Sequence, residues 1–359
     1  MLHALIMAGG GGTRFWPRSR KRRPKQFLAL AGERTLLQQA FDRIEGSVDA
    51  SGTWVITGEA YHDEVRRELP EIPASQIIGE PCGRDTAACI GLGAALIARQ
   101  DPAATMLVLP ADHMIEPAQE FRRAVYAAAN VAEENPQALT TFGIPPTYPA
   151  TGYGYIHRGT PAGQRQGIGV FRVQSFREKP KPDVAEQFVS SGEYFWNSGL
   201  FVWKAATILA ALRERQPALA AAIDRVAAAW GTSRQAETFK RAYEALQKIS
   251  IDYAVMEHAR EVFVVQAPFC WDDVGSWLAL ERLHPQDAHG NTVLARHTGL
   301  DTNGCVIVGD AVHLITTAGV KDLIIVQDGD AVLIADRRSE GLVKQLVEQM
   351  KGTDLEKYL

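Results

Sequence analysis

The chain is predicted to be an α/β protein, with a mostly parallel sheet carrying helices on both faces and a small β-rich domain behind it. Three observations lead there. Short apolar runs alternate with helical patterns through the first half of the 359 residues, a rhythm that calls for parallel strands joined by crossover helices. One run, TMLVL (Thr105–Leu109), is apolar throughout, as a central strand buried on both sides should be. Near the C-terminus, short strand-like runs follow one another at close spacing, which suits a small sandwich or a short β-solenoid.

In order, HALIM (His3–Met7) reads as a strand running into glycines, and TLLQQAFDRI (Thr35–Ile44) has helical spacing. TWVIT (Thr53–Thr57) is the next strand, followed by the polar helix EAYHDEVRREL. QII, a helix from Thr86 to Arg99 and TMLVLP repeat the alternation. Beyond Phe142 the pattern loosens into longer alternating strands, GYGYIHR, GVFRVQSFREKP and FWNSGLFVWK. Ala-rich helices then run from about Ala205 to Ala229 and on to about Leu246, and EVFVVQAPFCWDDVGSW returns to strand. The polar, turn-rich HPQDAHGN (His284–Asn291) marks a boundary, giving domains at 1–285 and 290–359. In the second domain CVIV, HLIT, DLIIV and AVLIA are strands. Leu342, Val343, Leu346, Val347 and Met350 form a helical stripe that Gly352 is placed to stop.

Composition narrows the function. With 46% apolar and 22% charged residues the chain is globular, and a net charge of −4 argues against nucleic acid as a partner. Four cysteines, Cys82, Cys89, Cys270 and Cys305, have no metal-type spacing and are expected to be reduced. No basic region precedes the first apolar stretch. The longest uncharged apolar stretch, Thr86–Ala98, falls short of the ~20 residues of a membrane span. The expectation is a soluble, cytoplasmic protein with no membrane partner.

The stretch MAGGGGTRFWPRSRKRRPKQ sets four glycines against seven Lys or Arg between Arg14 and Lys25. A strand that ends in glycines exposes backbone N–H groups at the carboxyl edge of a sheet, where anions can be held. It is not a P-loop, which needs G-x-x-x-x-G-K-[ST]. Nor is it a dinucleotide loop, because Pro17 stands where the helix should open. A flexible turn beside a solvated charge run stays open on the loop alone.

As a whole the stretch resembles the signature of the sugar-nucleotide pyrophosphorylases, G-G-x-G-T-R, then Pro, then P-K. These enzymes join a nucleoside triphosphate to a sugar 1-phosphate and release pyrophosphate. The resemblance implies a Rossmann-like nucleotidyltransferase domain followed by a short β-helix-like domain. It implies that Ala8, Gly9, Gly10, Gly12 and Thr13 bind the nucleotide, while Arg14 and Lys25 supply charge where the transition state and leaving group need it. Arg18, Arg20, Lys21, Arg22 and Arg23 are expected mostly in solvent.

Further motifs extend the resemblance. LVLPADHMI places Asp112 just past the carboxyl end of a buried strand, and the next helix starts near Pro117, too late for Asp112 to cap it. WDDVGSW matches the family's W-x-D-V-G-[SN]-W, which makes Asp273, and not Asp272, the second carboxylate. Together Asp112 and Asp273 are implied to hold Mg²⁺. His113 is expected to be a structural neighbour. TGYGYI, FREKP and FWNSGLFVW assign Gly154, Glu178, Lys179 and Asn197 to the sugar phosphate. Taken singly, Glu178 with Lys179 also reads as a strand-end ion pair and Asn197 as a turn residue.

IIGEPCGRDTAA bears on the base. Guanine presents donors at N1 and N2, so a carboxylate is a natural reader, and Glu80 stands where the mannose-1-phosphate guanylyltransferases would place it. Asp85 replaces an expected asparagine, and Asp85 and Thr86 complete the nucleotide contacts. FWPRSR, PKQFLAL, FWNSGLF and HGN also favour that branch. The implied reaction is GTP with mannose 1-phosphate. Another sugar or base, a non-catalytic regulatory homologue and an NAD-linked oxidoreductase are the competing readings. Because Leu359 ends the sequence without a cupin-type domain, no isomerase activity is expected. A homodimer through the strand-rich tail is left open.

Overall fold

The computed structural model describes residues 1–10 and 12–359; Gly11, the third glycine of the run, lies outside the described residues. The chain forms two compact units, each assembled from separate stretches. One comprises Met1–Gly9, Ala40–Ala111 and Ile115–Trp271; the other comprises Gly10–Gln39, Asp112–Met114 and Asp272–Leu359.

The larger unit is built on a nine-stranded mixed sheet. In chain order its strands are β1 (Leu2–Ala8), β2 (Thr53–Gly58), β3 (Ile77–Glu80) and β4 (Thr105–Pro110). After β5 (Met114–Glu116), where the chain returns from the smaller unit, come β6 (Leu139–Ile144), β7 (Tyr155–Arg165), β8 (Ile168–Arg177), β9 (Tyr194–Lys204) and β10 (Val262–Gln266). Their order across the sheet is β3-β2-β1-β4-β9-β6-β10-β8-β7. β1 to β4 are mutually parallel and β6 runs parallel to β10, whereas β8 and β9 run against all their neighbours. The predicted mostly parallel α/β sheet is therefore present.

The helix Asp85–Gln100 explains the uncharged stretch read in the sequence: every residue from Ala87 to Ile97 is buried. Its Gly93 sits so close to β1 that a Cβ there would lie 2.6 Å from Leu5 Cδ2. The Ala-rich region divides into Ala205–Arg215 and Pro217–Ala229, because Pro217 cannot donate to the preceding turn and instead opens the second helix.

In the smaller unit, β11 (Cys270–Asp272) leads in, followed by β12 (Thr292–Leu294), β13 (Arg296–Asn303), β14 (Val306–Val308), β15 (Leu314–Lys321), β16 (Leu323–Asp328) and β17 (Ala331–Asp336). Alternate strands stack in parallel: β12 on β14 on β16 in one sheet, β13 on β15 in another. That alternation makes it a short β-helix and not a sandwich, and β17 closes it by pairing antiparallel with β16. Buried Asn291 ties the coils, donating to Thr302 O at 2.9 Å and accepting from Cys305 N at 2.9 Å. The terminal helix Leu342–Met350 buries Val343, Val347 and Met350 but leaves Leu342 and Leu346 exposed, so its apolar stripe is narrower than the sequence suggested. Gly352 follows it at φ 72°. All four cysteines are free thiols. Among the described residues no helix is long and apolar enough to cross a membrane.

Candidate active site

Each unit gathers one group of the residues singled out above. In the smaller unit, the glycine run bends through positive φ at Gly10 (119°) and Gly12 (53°) into a single 3-10 turn, Thr13–Phe15. Phe15 and Trp16 are buried. Phe15 meets Trp277 edge-on at 5.0 Å, and Trp277 Nε1 donates to Trp16 O at 3.1 Å. The aromatics of FWP and GSW thus pin two loops far apart in sequence against each other.

Lys25 lies between those loops and is 6% exposed. Its Nζ donates to Asp112 Oδ2 at 2.8 Å and to the Asp273 carbonyl at 2.6 Å. Arg14 Nη1 donates to Gly275 O at 3.2 Å. Arg14, Lys25, Asp112 and Asp273 line one cavity of about 270 Å³ together with Gly12 and Thr13. Burial pushes the Asp112 carboxyl up, but the Lys25 ammonium and neighbouring His113 outweigh it, so the net shift is downward. Asp112 is a carboxylate at neutral pH. His113 Nε2 stands 3.9 Å from Asp112 Oδ1, the neighbour expected.

The two aspartates of WDDVGSW divide their tasks. Asp272 is buried, accepts from Val274 N at 2.7 Å and pairs with Arg282. Asp273 lines the cavity. Fully buried Val274 sits at φ 46°, a conformation that costs a β-branched residue energy and that the Asp272 bond and the surrounding core hold in place.

One expectation is corrected. Lys21, Arg22 and Arg23 are exposed as expected, but Arg18 and Arg20 are not mostly solvated: Arg18 donates to Gly309 O at 2.7 Å and lies 3.8 Å from Asp328. Arg20 donates to Asp328 O and pairs with Asp330 at 2.7 Å, and Lys21 pairs with Glu356. Arg18 and Arg20 fasten the loop to the β-helix, and Lys21 fastens it to the C-terminal turn that holds Glu356. Their partners lie about three hundred positions away, which no local pattern reveals.

In the larger unit, Glu80 ends β3 and is 7% exposed; its Oε1 is buried with no hydrogen-bond partner among the described residues. Burial pushes its carboxyl up to about 7, with the Tyr243 hydroxyl pulling the other way. Ala8 ends β1, its carbonyl accepting from Thr57 Oγ1 at 2.9 Å, and Gly9 follows with open space around its Cα. Asp85 opens its helix at φ 67° and accepts from Thr86 N at 2.7 Å. Asp and Asn are the side chains that best tolerate that left-handed position, so the turn accepts either. Thr86 Oγ1 accepts from Ile251 N at 2.8 Å.

Gly154, Glu178 and Asn197 come together. A Cβ on Gly154 would stand 2.4 Å from Glu178 Oε2 and 3.4 Å from Asn197 Cβ, and Asn197 N donates to Gly154 O at 2.8 Å. Lys179, at φ 45°, lies 3.5 Å from Glu178 Oε1, so the strand-end ion pair is real.

A further carboxylate escapes the sequence reading. Asn197 Nδ2 donates to Asp252 Oδ1 at 2.8 Å, and burial raises the Asp252 carboxyl to about 6, helped by the charges of Glu178 and Asp85. The available signal was a lone acid in SIDYAVM, among neighbours Ile251, Ala254, Val255 and Met256 that are all buried.

Known proteins resemble this chain over nearly its whole length. A family model described as nucleotidyl transferase matches residues 3–290, and the MannoseP isomerase/GMP-like beta-helix domain matches 295–350. The mannose-1-phosphate guanylyltransferase of Escherichia coli K12 is 40% identical over 356 residues, covering 98% of this chain and 74% of that protein. A putative mannose-1-phosphate guanylyltransferase of Vibrio cholerae is 39% identical, over 100% of this chain and 76% of that one. Among solved structures, one described as a mannose-1-phosphate geranyltransferase from Thermus thermophilus superposes with a TM-score of 0.85 at 37% identity, covering 98% of this chain and 99% of that one. The chain belongs to the nucleotidyl transferase family and, within it, to the group of the mannose-1-phosphate guanylyltransferases.

Proposed function

We propose that the protein transfers a guanylyl group from GTP to α-D-mannose 1-phosphate, giving GDP-mannose and diphosphate. The observation that carries the chemistry is Lys25 bridging Asp112 and the Asp273 carbonyl in a cavity shared with Arg14. A phosphate oxygen of mannose 1-phosphate attacks the α-phosphorus of GTP in line. One P–O bond forms, the bond to the β-phosphate breaks, and diphosphate leaves with the electron pair. The attacking phosphate is already ionised, so no general base is required. The main barrier is the approach of like charges, which Arg14 and Lys25 offset. Holding the reactants in line supplies on the order of 7–11 kcal/mol.

The donor set suits Mg²⁺. Asp112 and Asp273 line one cavity, and their carboxylates are the hard oxygen donors that would hold the ion. When bound, the ion would neutralise developing charge on those oxygens.

Glu80 supports guanine as the base. Its unpartnered Oε1 is an acceptor for N1–H or N2–H, and the buried site favours a ligand that brings donors. Glu178 and Asn197 are assigned to the sugar hydroxyls, with Gly154 giving the close backbone approach and Lys179 the sugar phosphate. Asp85 and Thr86 shape the turn under the nucleotide, and Ala8, Gly9, Gly10, Gly12 and Thr13 present backbone to it. Release of diphosphate with Mg²⁺, measured for GTP, UTP, dTTP and ATP against mannose 1-phosphate and glucose 1-phosphate, tests the assignment. Turnover chiefly with GTP and mannose 1-phosphate is expected; preference for another pair would overturn the specificity.

A further inference from the structure

We propose that Lys344, on the C-terminal helix, is a third cation of the polyphosphate site and binds the diphosphate portion of the triphosphate. The inference rests on the nucleotidyl-transfer reading above. Lys344 lines the same cavity as Gly12, Arg14, Lys25, Asp112 and Asp273. Its position is fixed by its neighbours: Val343 and Val347 are buried in the core that also holds Phe15 and Trp16, so the helix is anchored beside the turn bearing Arg14.

The other two cations already have protein partners. Lys25 is held by Asp112 and Asp273, and Arg14 by Gly275 O. The Lys344 side chain makes no hydrogen bond or ion pair with any described residue, which leaves its three N–H donors for an anion. Charge points the same way. Arg14 and Lys25 against Asp112 and Asp273 sum to zero, a poor balance for a polyanion, and Lys344 makes the cavity's fixed charge positive. The β-helix domain would then take part in the chemistry through its last helix.

The test uses the full chain with Lys344→Ala, Lys344→Gln and Lys344→Arg. Binding of inorganic diphosphate in the presence of Mg²⁺ is measured by calorimetry, and KM for GTP and mannose 1-phosphate by steady-state kinetics. Loss of a charge-assisted contact should weaken diphosphate binding about tenfold in the Ala and Gln variants, with Arg restoring most of it and the mannose 1-phosphate KM unchanged. Raising the ionic strength should shrink the difference between wild type and Ala. Unchanged diphosphate affinity in both Ala and Gln variants, or an equal loss for both substrates, would overturn the proposal. Calorimetry needs no turnover, so failure of the GTP and mannose 1-phosphate assignment would show in kinetics alone and leave the Lys344 result readable.

Discussion

Gly12 is packed against Lys25 so closely that a Cβ at Gly12 would stand 2.4 Å from the Lys25 Cβ and 2.9 Å from its amide nitrogen. Gly12 also sits at φ 53°, so the glycine serves two needs at once. It turns the loop, and it lets the loop close over the lysine that holds Asp112. Gly12→Ala should therefore displace Lys25 and not merely stiffen the turn. A displacement near 1 Å at such a site costs on the order of 100-fold in rate. The expected result is a drop of that size in kcat with a folded protein by circular dichroism; near-normal kcat would refute the packing argument.

Lys25→Ala removes the ammonium that offsets burial of Asp112. The variant should lose about 100- to 1,000-fold in kcat, as loss of one preorganised charge donor typically does, while KM for mannose 1-phosphate stays within about threefold. It should also weaken a pH effect. In the wild type the lowered Asp112 pKa contributes stability that is present above the unfolded value and lost as pH falls through the folded one. Without Lys25 the largest downward influence on that carboxyl is gone, so that part of the acid sensitivity should shrink in melting curves taken below the ordinary carboxylate range.

Asp252→Asn would test the hydrogen bond that fixes the Asn197 amide. Two amides can still pair, but either can flip, so Asn197 loses its single orientation. The expected outcome is a mannose 1-phosphate KM raised about tenfold with the GTP KM unchanged. A loss shared equally by both substrates would reassign Asp252 to general stability.

Much of the fold was legible because local rules and tertiary structure agree. The apolar run Thr105–Pro110 became a central strand, and Asp112 fell just beyond its carboxyl end, ahead of a helix that begins at Ala118. The motif singles out Asp273 over Asp272, and the two differ in place: Asp273 lines the cavity, whereas Asp272 is held by Val274 N and Arg282. What could not be read were partners chosen by the fold. Lys25 meets the Asp273 carbonyl across 248 positions, and a carbonyl carries no residue-type signal at all. Arg18 and Arg20 looked like surface charge because their acceptors are largely backbone oxygens of the β-helix. The exposure of Leu342 and Leu346 escaped the helical pattern for a related reason: periodicity gives the apolar face but not how much of it a neighbour covers.

Glu80 offers the sharpest pH test. Its carboxyl titrates near 7 in the folded protein instead of its ordinary 4.5, and it must be ionised to accept from guanine. The apparent KM for GTP should thus fall about tenfold between pH 6 and pH 8, and Glu80→Gln should abolish that slope and weaken the preference for GTP over ATP and UTP. Stability runs the opposite way. Below about 4.5 both folded and unfolded chains hold the proton; between there and 7 only the folded chain does, so stability is lost as pH rises through 7. Replacing a buried, incompletely paired carboxylate by a neutral amide should therefore stabilise the protein at pH 8 by roughly 1–3 kcal/mol, and the gain should vanish below pH 5. A variant that loses guanine preference while melting higher at pH 8 would mark Glu80 as a residue kept for recognition at the expense of stability. A variant that melts lower at pH 8 would mean the carboxylate is satisfied by the protein, and the guanine reading would lose its support.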